Sequence, residues 1–201
     1  MSQKQAFLNG EGDQWWDRNK DKVKYPPSDP VIRAVKMLPK PDSILEIGCA
    51  NGGRLNELQK LTCAECIGID PSQKAIKQGW QFSDVELYIG TADNLPFDRS
   101  FDIVIFGFCL YLVDRECLFK VVSEADRVLA DGGHLIIYDF APETPCSTPY
   151  EHLDGVTSYK MDYSRLFTAN PAYREKSCWT ADEEEGTSVS IIQKNLAGGY
   201  N

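Results

Sequence analysis

Glu46-Ile47-Gly48-Cys49-Ala50-Asn51-Gly52 is the stretch from which the rest of the chain can be read. It follows the apolar run Ile44-Leu45-Glu46-Ile47, which reads as a strand. It precedes Arg54 to Leu61, where Leu55, Leu58 and Leu61 recur at helical spacing. Glycines between a strand and a helix permit a tight turn and let the backbone come close to a ligand, because glycine has no Cβ. The spacing Gly48-x-x-x-Gly52 is not the G-x-G-x-x-G of dinucleotide binders, which disfavours a pyrophosphate cradle. No Gly-Lys-Ser/Thr follows to make a P-loop.

Outward from this turn the chain alternates. Cys66-Ile67-Gly68-Ile69-Asp70 reads as a second strand, and Pro71-Ser72 opens a helix to about Phe82. Val85 to Ile89 and Phe101 to Phe106 read as the third and fourth strands. Asp114 to Leu129 carries a helical apolar stripe, and His134 to Phe140 reads as the fifth strand. Near-continuous apolar strands alternating with helices imply a parallel sheet covered on both faces. The expected fold is α/β, a Rossmann-like three-layer sandwich with a mostly parallel seven-stranded sheet. Its C-terminal strands, Tyr173 to Thr180 and Thr187 to Gln193, are expected to pair as an antiparallel hairpin. Such sheets take ligands beyond the carboxyl ends of their strands, where the strand order reverses. Upstream, Ser28 or Asp29 can cap a helix that has Pro30 in its first turn and ends before Pro39. Ala141 to about Asn170 breaks the rhythm and reads as a long loop or short helices, a lid over the site. The expected plan is one domain over 1–201: an N-terminal cap (1–40), a binding core (43–140), a lid (141–170) and a hairpin (171–195).

The 201 residues carry a net charge of −9, which argues against a phosphate backbone as partner. No apolar run approaches the ~18 residues that cross a bilayer. Neither this nor the polar start Met1-Ser2-Gln3-Lys4-Gln5 suggests a membrane or secretory destination, so a cytoplasmic protein, monomer or homodimer, is expected. Seven scattered cysteines fit reduced thiols. Cys63-Ala64-Glu65-Cys66 lacks the second ligand pair that structural zinc requires, and no metal is expected.

The segment Ile44 to Gly52 resembles the first motif, E/D-x-G-x-G-x-G, of class I S-adenosylmethionine (SAM)-dependent methyltransferases, with Ala50 where the middle glycine usually stands. The resemblance continues. Ile67-Gly68-Ile69-Asp70 is similar to the motif whose acidic residue receives the ribose hydroxyls. Gly90-Thr91-Ala92-Asp93-Asn94-Leu95-Pro96-Phe97 resembles G-D-A-x-x-L-P-F, with Thr91 in place of the aspartate that meets the adenine amino group. Phe101 to Ile105 and Leu129-Ala130-Asp131-Gly132-Gly133 resemble the fourth-strand motif and the turn before the fifth strand. The match spans roughly Ser43 to Phe140. It implies SAM as methyl donor and S-adenosylhomocysteine as product. The implied donor contacts are Glu46, Gly48, Cys49, Asp70, Pro71, Ala92, Asp93 and Phe106. Gly10 to Asn19 resembles the start of small methyltransferases of bacterial surface-saccharide pathways. There Trp16 would cover the sulfonium by cation–π attraction and Arg18 would pair with the methionine carboxylate. The alternative for the tryptophans is an amphipathic helix packed on the core.

A hydroxyl acceptor benefits from a general base, whereas a neutral amine needs little beyond orientation. His152, in the lid, is the candidate base, since an imidazole titrates near neutrality. Tyr138 and Asp139, at the end of the fifth strand, are further catalytic candidates, and Tyr159, Asp162 and Tyr163 stand in the lid. The expected acceptor is a small molecule, a sugar or nucleotide-sugar hydroxyl or amine, by analogy of motif. A DNA acceptor is disfavoured by acidity and by the absence of [DNS]-P-P-[YFW] after the fourth strand. A non-catalytic SAM-fold scaffold, or a methyltransferase acting on protein or nucleic acid, are the other readings.

Overall fold

The computed structural model describes residues 2–81 and 84–198. Five strands form the parallel part of the sheet: β1 (Ser43–Ile47), β2 (Glu65–Asp70), β3 (Glu86–Ile89), β4 (Phe101–Gly107) and β5 (Leu129–Phe140). β8 (Tyr173–Asp182) and β9 (Thr187–Lys194) complete it in the order β3-β2-β1-β4-β5-β9-β8. β9 is antiparallel to both β5 and β8. The expected seven-stranded sheet with a closing hairpin is therefore present. The order reverses between β1 and β4, and that is where a crevice opens.

Alternation along each strand sends side chains to two separate cores. On one face, Leu45 and Ile47 of β1 and Val104 and Phe106 of β4 pack beneath α6 (Leu118–Val128) and α7 (Arg165–Thr168). On the other, Ile44, Ile103 and Ile105 meet α3 (Pro30–Lys36), α4 (Gly53–Thr62) and α5 (Gln73–Gly79). Capping follows the sequence. Asp29 accepts from the amides of Val31 and Ile32, and Ser72 from that of Ala75. The expected end of α5 at Phe82 lies outside the described residues.

Three expectations change. The helix placed at Asp114 begins only at Leu118, because the Asp114 carboxylate is used elsewhere, accepting from the amides of Gln3 and Lys4 (2.9 Å each). The fifth strand begins at Leu129 and passes through the glycine pair, with a register shift against β4 between Phe101 and Ile103. Residues 141–170, expected as a long loop or short helices, contain an antiparallel hairpin, β6 (Cys146–Pro149) and β7 (Thr157–Lys160), in its own small sheet. Its strands are short and, around β6, exposed, so no alternating apolar pattern announces them.

The N-terminal segment folds over the crevice as α1 (Gln3–Ala6), a π-helical turn (Phe7–Glu11) kinked at Gly10, and α2 (Gly12–Asn19). Gln3 ties it down on two sides, donating to the Leu112 carbonyl and accepting from the Thr157 amide of β7, both at 2.7 Å.

Candidate functional site

The crevice holds about 940 Å³ of empty space, its open mouth included, within the range of small-molecule sites. One end is built by the turn after β1. Gly48 (φ 78°) donates its amide to the Ile69 carbonyl, and a Cβ here would stand 2.8 Å from Cys109 Cβ, so glycine is required. Ala50 takes φ 50°, left-handed for a residue with a Cβ, and its amide donates to Asp70 Oδ2 (2.9 Å). The other Asp70 oxygen accepts from Ser72 (2.8 Å). Burial pushes the Asp70 carboxyl up to about 6 against the pull of the two amides. Each oxygen retains a second acceptor site at the crevice wall, which suits a vicinal diol. Pro71, Gly90, Thr91, Ala92 and Asp93 continue this wall. Asp93 accepts from Thr91 Oγ1 and pairs with Lys4 Nζ, both at 2.7 Å. Burial alone would raise the Asp93 carboxyl. Lys4 and Thr91 outweigh it and hold the group below the usual carboxylate range.

The wall after β4 is aromatic. β4 stops at Gly107, and Phe108 follows at φ 68°, an outlier for so bulky a side chain. Its amide donates to the Tyr138 carbonyl, and the Asp139 carboxylate gathers the amides of Leu110 and Phe140 (2.8 Å each) beneath it. Phe108 and Tyr111 face the crevice from this side, Phe7 and Trp15 from the N-terminal segment.

Residues 45–137 match the methyltransferase domain family. A S-adenosylmethionine-dependent methyltransferase of Clostridium acetobutylicum superposes with a TM-score of 0.67 at 13% identity, covering 93% of this chain and 99% of that one. The chain thus matches a methyltransferase domain over residues 45–137 and has the fold of SAM-dependent methyltransferases. A Burkholderia thailandensis 1,6-didemethyltoxoflavin-N1-methyltransferase, solved with its acceptor and S-adenosylhomocysteine, shares the fold at a TM-score of 0.73 and 13% identity, over 94% of this chain and 88% of its own. In sequence, ajmaline N-methyltransferase of Rauvolfia serpentina is 32% identical over 126 residues, 56% of this chain and 42% of its own length. The chain spans less than half the length of the curated relatives it matches.

Within the methyltransferase domain, Gly48, Asp70, Pro71, Ala92 and Asp93 line the crevice together. The other expected donor contacts do not. Glu46 points to the α3–α4 face, where its buried carboxylate pairs with Arg54, which also meets Asp29 at 3.3 Å. Cys49 is buried against Gly68 and Leu55 on that same face. Phe106 faces the opposite core and packs on Phe167. Trp16 is buried beside Ala50 and Ala75, donating to Gln78 (2.9 Å), which is the packed alternative, and Trp15 takes the crevice position. Arg18 is held by Glu11 (2.5 Å) and by the Tyr150 hydroxyl (3.1 Å), away from the crevice.

The candidate bases also stand elsewhere. His152 is exposed at the turn of the β6–β7 hairpin, edge-on to Tyr150. Tyr138 packs against Phe108, and Asp139 is buried under the backbone amides described above. In the 141–170 segment, Tyr159 lies under the Arg115 guanidinium, Tyr163 donates to the Tyr159 carbonyl, and Asp162 caps Ser164. The crevice residues that the sequence does not single out include Lys4, Phe7 and Asp114. Phe108 and Tyr111 belong to the tip Phe106-Gly107-Phe108-Cys109-Leu110-Tyr111, where the family resemblance implies the transferring methyl group. A site beyond the strand ends uses residues after the last strand position, which is Gly107.

Proposed function

We propose that this chain transfers the methyl group of SAM to a nitrogen of a small acceptor at the tip of β4. Bound SAM supplies an electrophilic methyl on a sulfonium. Asp70 would receive the ribose hydroxyls, the turn of Gly48 and Ala50 would lie along the donor chain, and Ala92 and Asp93 would flank the adenine. The observation that carries the nitrogen reading is the state of the crevice's ionisable side chains. Asp93 is paired with Lys4, Asp114 accepts two amides, and the Tyr111 hydroxyl is engaged by Trp15. An acceptor that arrives as a neutral amine needs orientation, which aromatic walls supply, and no base. The N-methyltransferase names among the relatives support the same choice. A hydroxyl acceptor, including a saccharide, is the second reading, and the outward position of His152 weighs against it.

Titration with S-adenosylhomocysteine, with Asp70→Ala as control, tests the donor site. Methyl transfer from labelled SAM to matched amine and alcohol panels tests the acceptor atom. Micromolar donor binding lost in the variant, with label entering amines only, is expected. Label entering alcohols alone would reject the nitrogen reading.

A further inference from the structure

We infer that the acceptor is a flat, amine-bearing aromatic ring system that stacks on Phe108, an inference that rests on the methyl-transfer reading above. Phe108 is held in place from several directions. Its ring lies 5.1 Å from Tyr111, 5.3 Å from Tyr138 and 4.9 Å from Phe140, centroid to centroid, while Phe108 itself faces the crevice. A bulky residue persists at φ 68° only where its surroundings over-determine it, and such positions cluster at ligand clamps. Phe7 and Trp15 line the same crevice, and Trp15 donates to the Tyr111 hydroxyl, so aromatic side chains gather around Phe108. An aromatic wall of this kind suits a planar group.

Two further features narrow the chemistry. One polar atom of this wall, the Tyr111 hydroxyl, already accepts from Trp15. A polyhydroxylated ring would lose its water here and find few partners, which is costly. The π faces of the cluster also already hold a cation. On its outer side the Lys160 ammonium sits 3.9 Å from the Phe140 centroid. Those electron-rich faces also attract the partly positive ring edge of a neutral aromatic amine. In the reaction, the neutral amine's lone pair forms the N–C bond. The C–S pair returns to sulfur, leaving neutral S-adenosylhomocysteine, and the ammonium so formed releases one proton to solvent.

The test compares tetrahydroisoquinoline with decahydroisoquinoline by calorimetry, with and without saturating S-adenosylhomocysteine. Both are secondary amines of the same heavy-atom skeleton, and only the first has a flat aromatic ring. We expect the aromatic amine to bind about tenfold more tightly. Phe108→Leu, which keeps an apolar side chain at the same backbone position, should bring the ratio close to one while still binding S-adenosylhomocysteine. If that variant fails to fold, Phe7→Leu in the same crevice gives the same readout. Equal binding of both amines, binding of neither, or an unchanged ratio in the folded variants overturns the inference, as does tighter binding of a nucleotide sugar. A protein that prefers the aromatic amine but binds no S-adenosylhomocysteine would sink the donor reading alone.

Discussion

Ala50 shows how closely several small terms compete at one residue. Its left-handed backbone costs roughly 1–2 kcal/mol for an L-residue. Its methyl is buried against Trp16 and Ala75, worth about 0.8 kcal/mol. Glycine would relieve the first term, lose the second, and add roughly 0.5–1 kcal/mol of chain entropy. Ala50→Gly is therefore expected to change stability by less than about 1 kcal/mol by denaturant unfolding and to keep donor affinity. Ala50→Val adds bulk and β-branching at the same φ. It should cost more than about 2 kcal/mol and abolish S-adenosylhomocysteine binding. At Asp70 the prediction concerns pH. With its carboxyl near 6, the group is ionised at pH 8 and takes up a proton as pH falls through about 6. Donor affinity measured by calorimetry should be flat above pH 7 and decline below 6, because a protonated carboxyl loses acceptor capacity.

Among the elements, the N-terminal segment and the β6–β7 hairpin meet at three side chains. Glu11 is buried, and one of its oxygens receives both Arg18 and the Tyr150 hydroxyl (3.0 Å). Burial first, and then the Glu11 charge, push the Tyr150 hydroxyl up to about 12, so it stays a donor. Arg18→Ala would leave Glu11 buried with only Tyr150 as partner. We expect a loss of about 2 kcal/mol and faster hydrogen exchange in β6 and β7. Glu11→Gln in the same chain should recover part of both. At this scale the sequence was legible wherever periodicity is strong. The parallel strands stand out because both faces are buried, and α4 because Leu55 and Leu58 share one side. The hairpin at 146–160 was silent, because β6 is exposed throughout and has no buried face to mark. The donor wall was legible through Gly48 and Asp70, whose spacing is dictated by backbone geometry. The aromatic wall was legible at the tip after β4 but not in the N-terminal segment, where one residue decides it. A step from Trp16 to Trp15 turns about 100° around a helix, and the sequence does not say which of the two faces inward.

For the molecule as a whole, buried carboxyls set the pH response. Burial raises Asp139 to about 7 and Asp70 to about 6, and raises Glu46 despite Arg54. A carboxyl whose folded value lies above its unfolded one binds its proton first in the folded state. Its contribution is present at low pH and is lost as pH rises through the folded value. Glu124, held down chiefly by Arg127, works the other way, but only below the ordinary carboxylate range. His134, lowered by burial, offsets part of the effect below about 6.5. Thermal unfolding should therefore have its highest midpoint near the ordinary carboxylate range, about pH 4–5, and fall by several degrees toward pH 8. A midpoint that climbs steadily from pH 5 to 8 would contradict this.

The strand order has a consequence for the protein during synthesis. β5 pairs with β4 on one side, but its other neighbour is β9. About fifty residues separate the end of β5 from the start of β9, so at roughly 5–20 residues per second the ribosome needs several seconds to supply it. Throughout that interval a nascent chain with its parallel strands assembled would present β5 as an open apolar edge, including Leu135, Ile136 and Ile137. Yield of soluble protein should then depend on how fast residues 141–194 are translated, and slow codons in that stretch should send more of the chain to aggregates without altering the finished molecule.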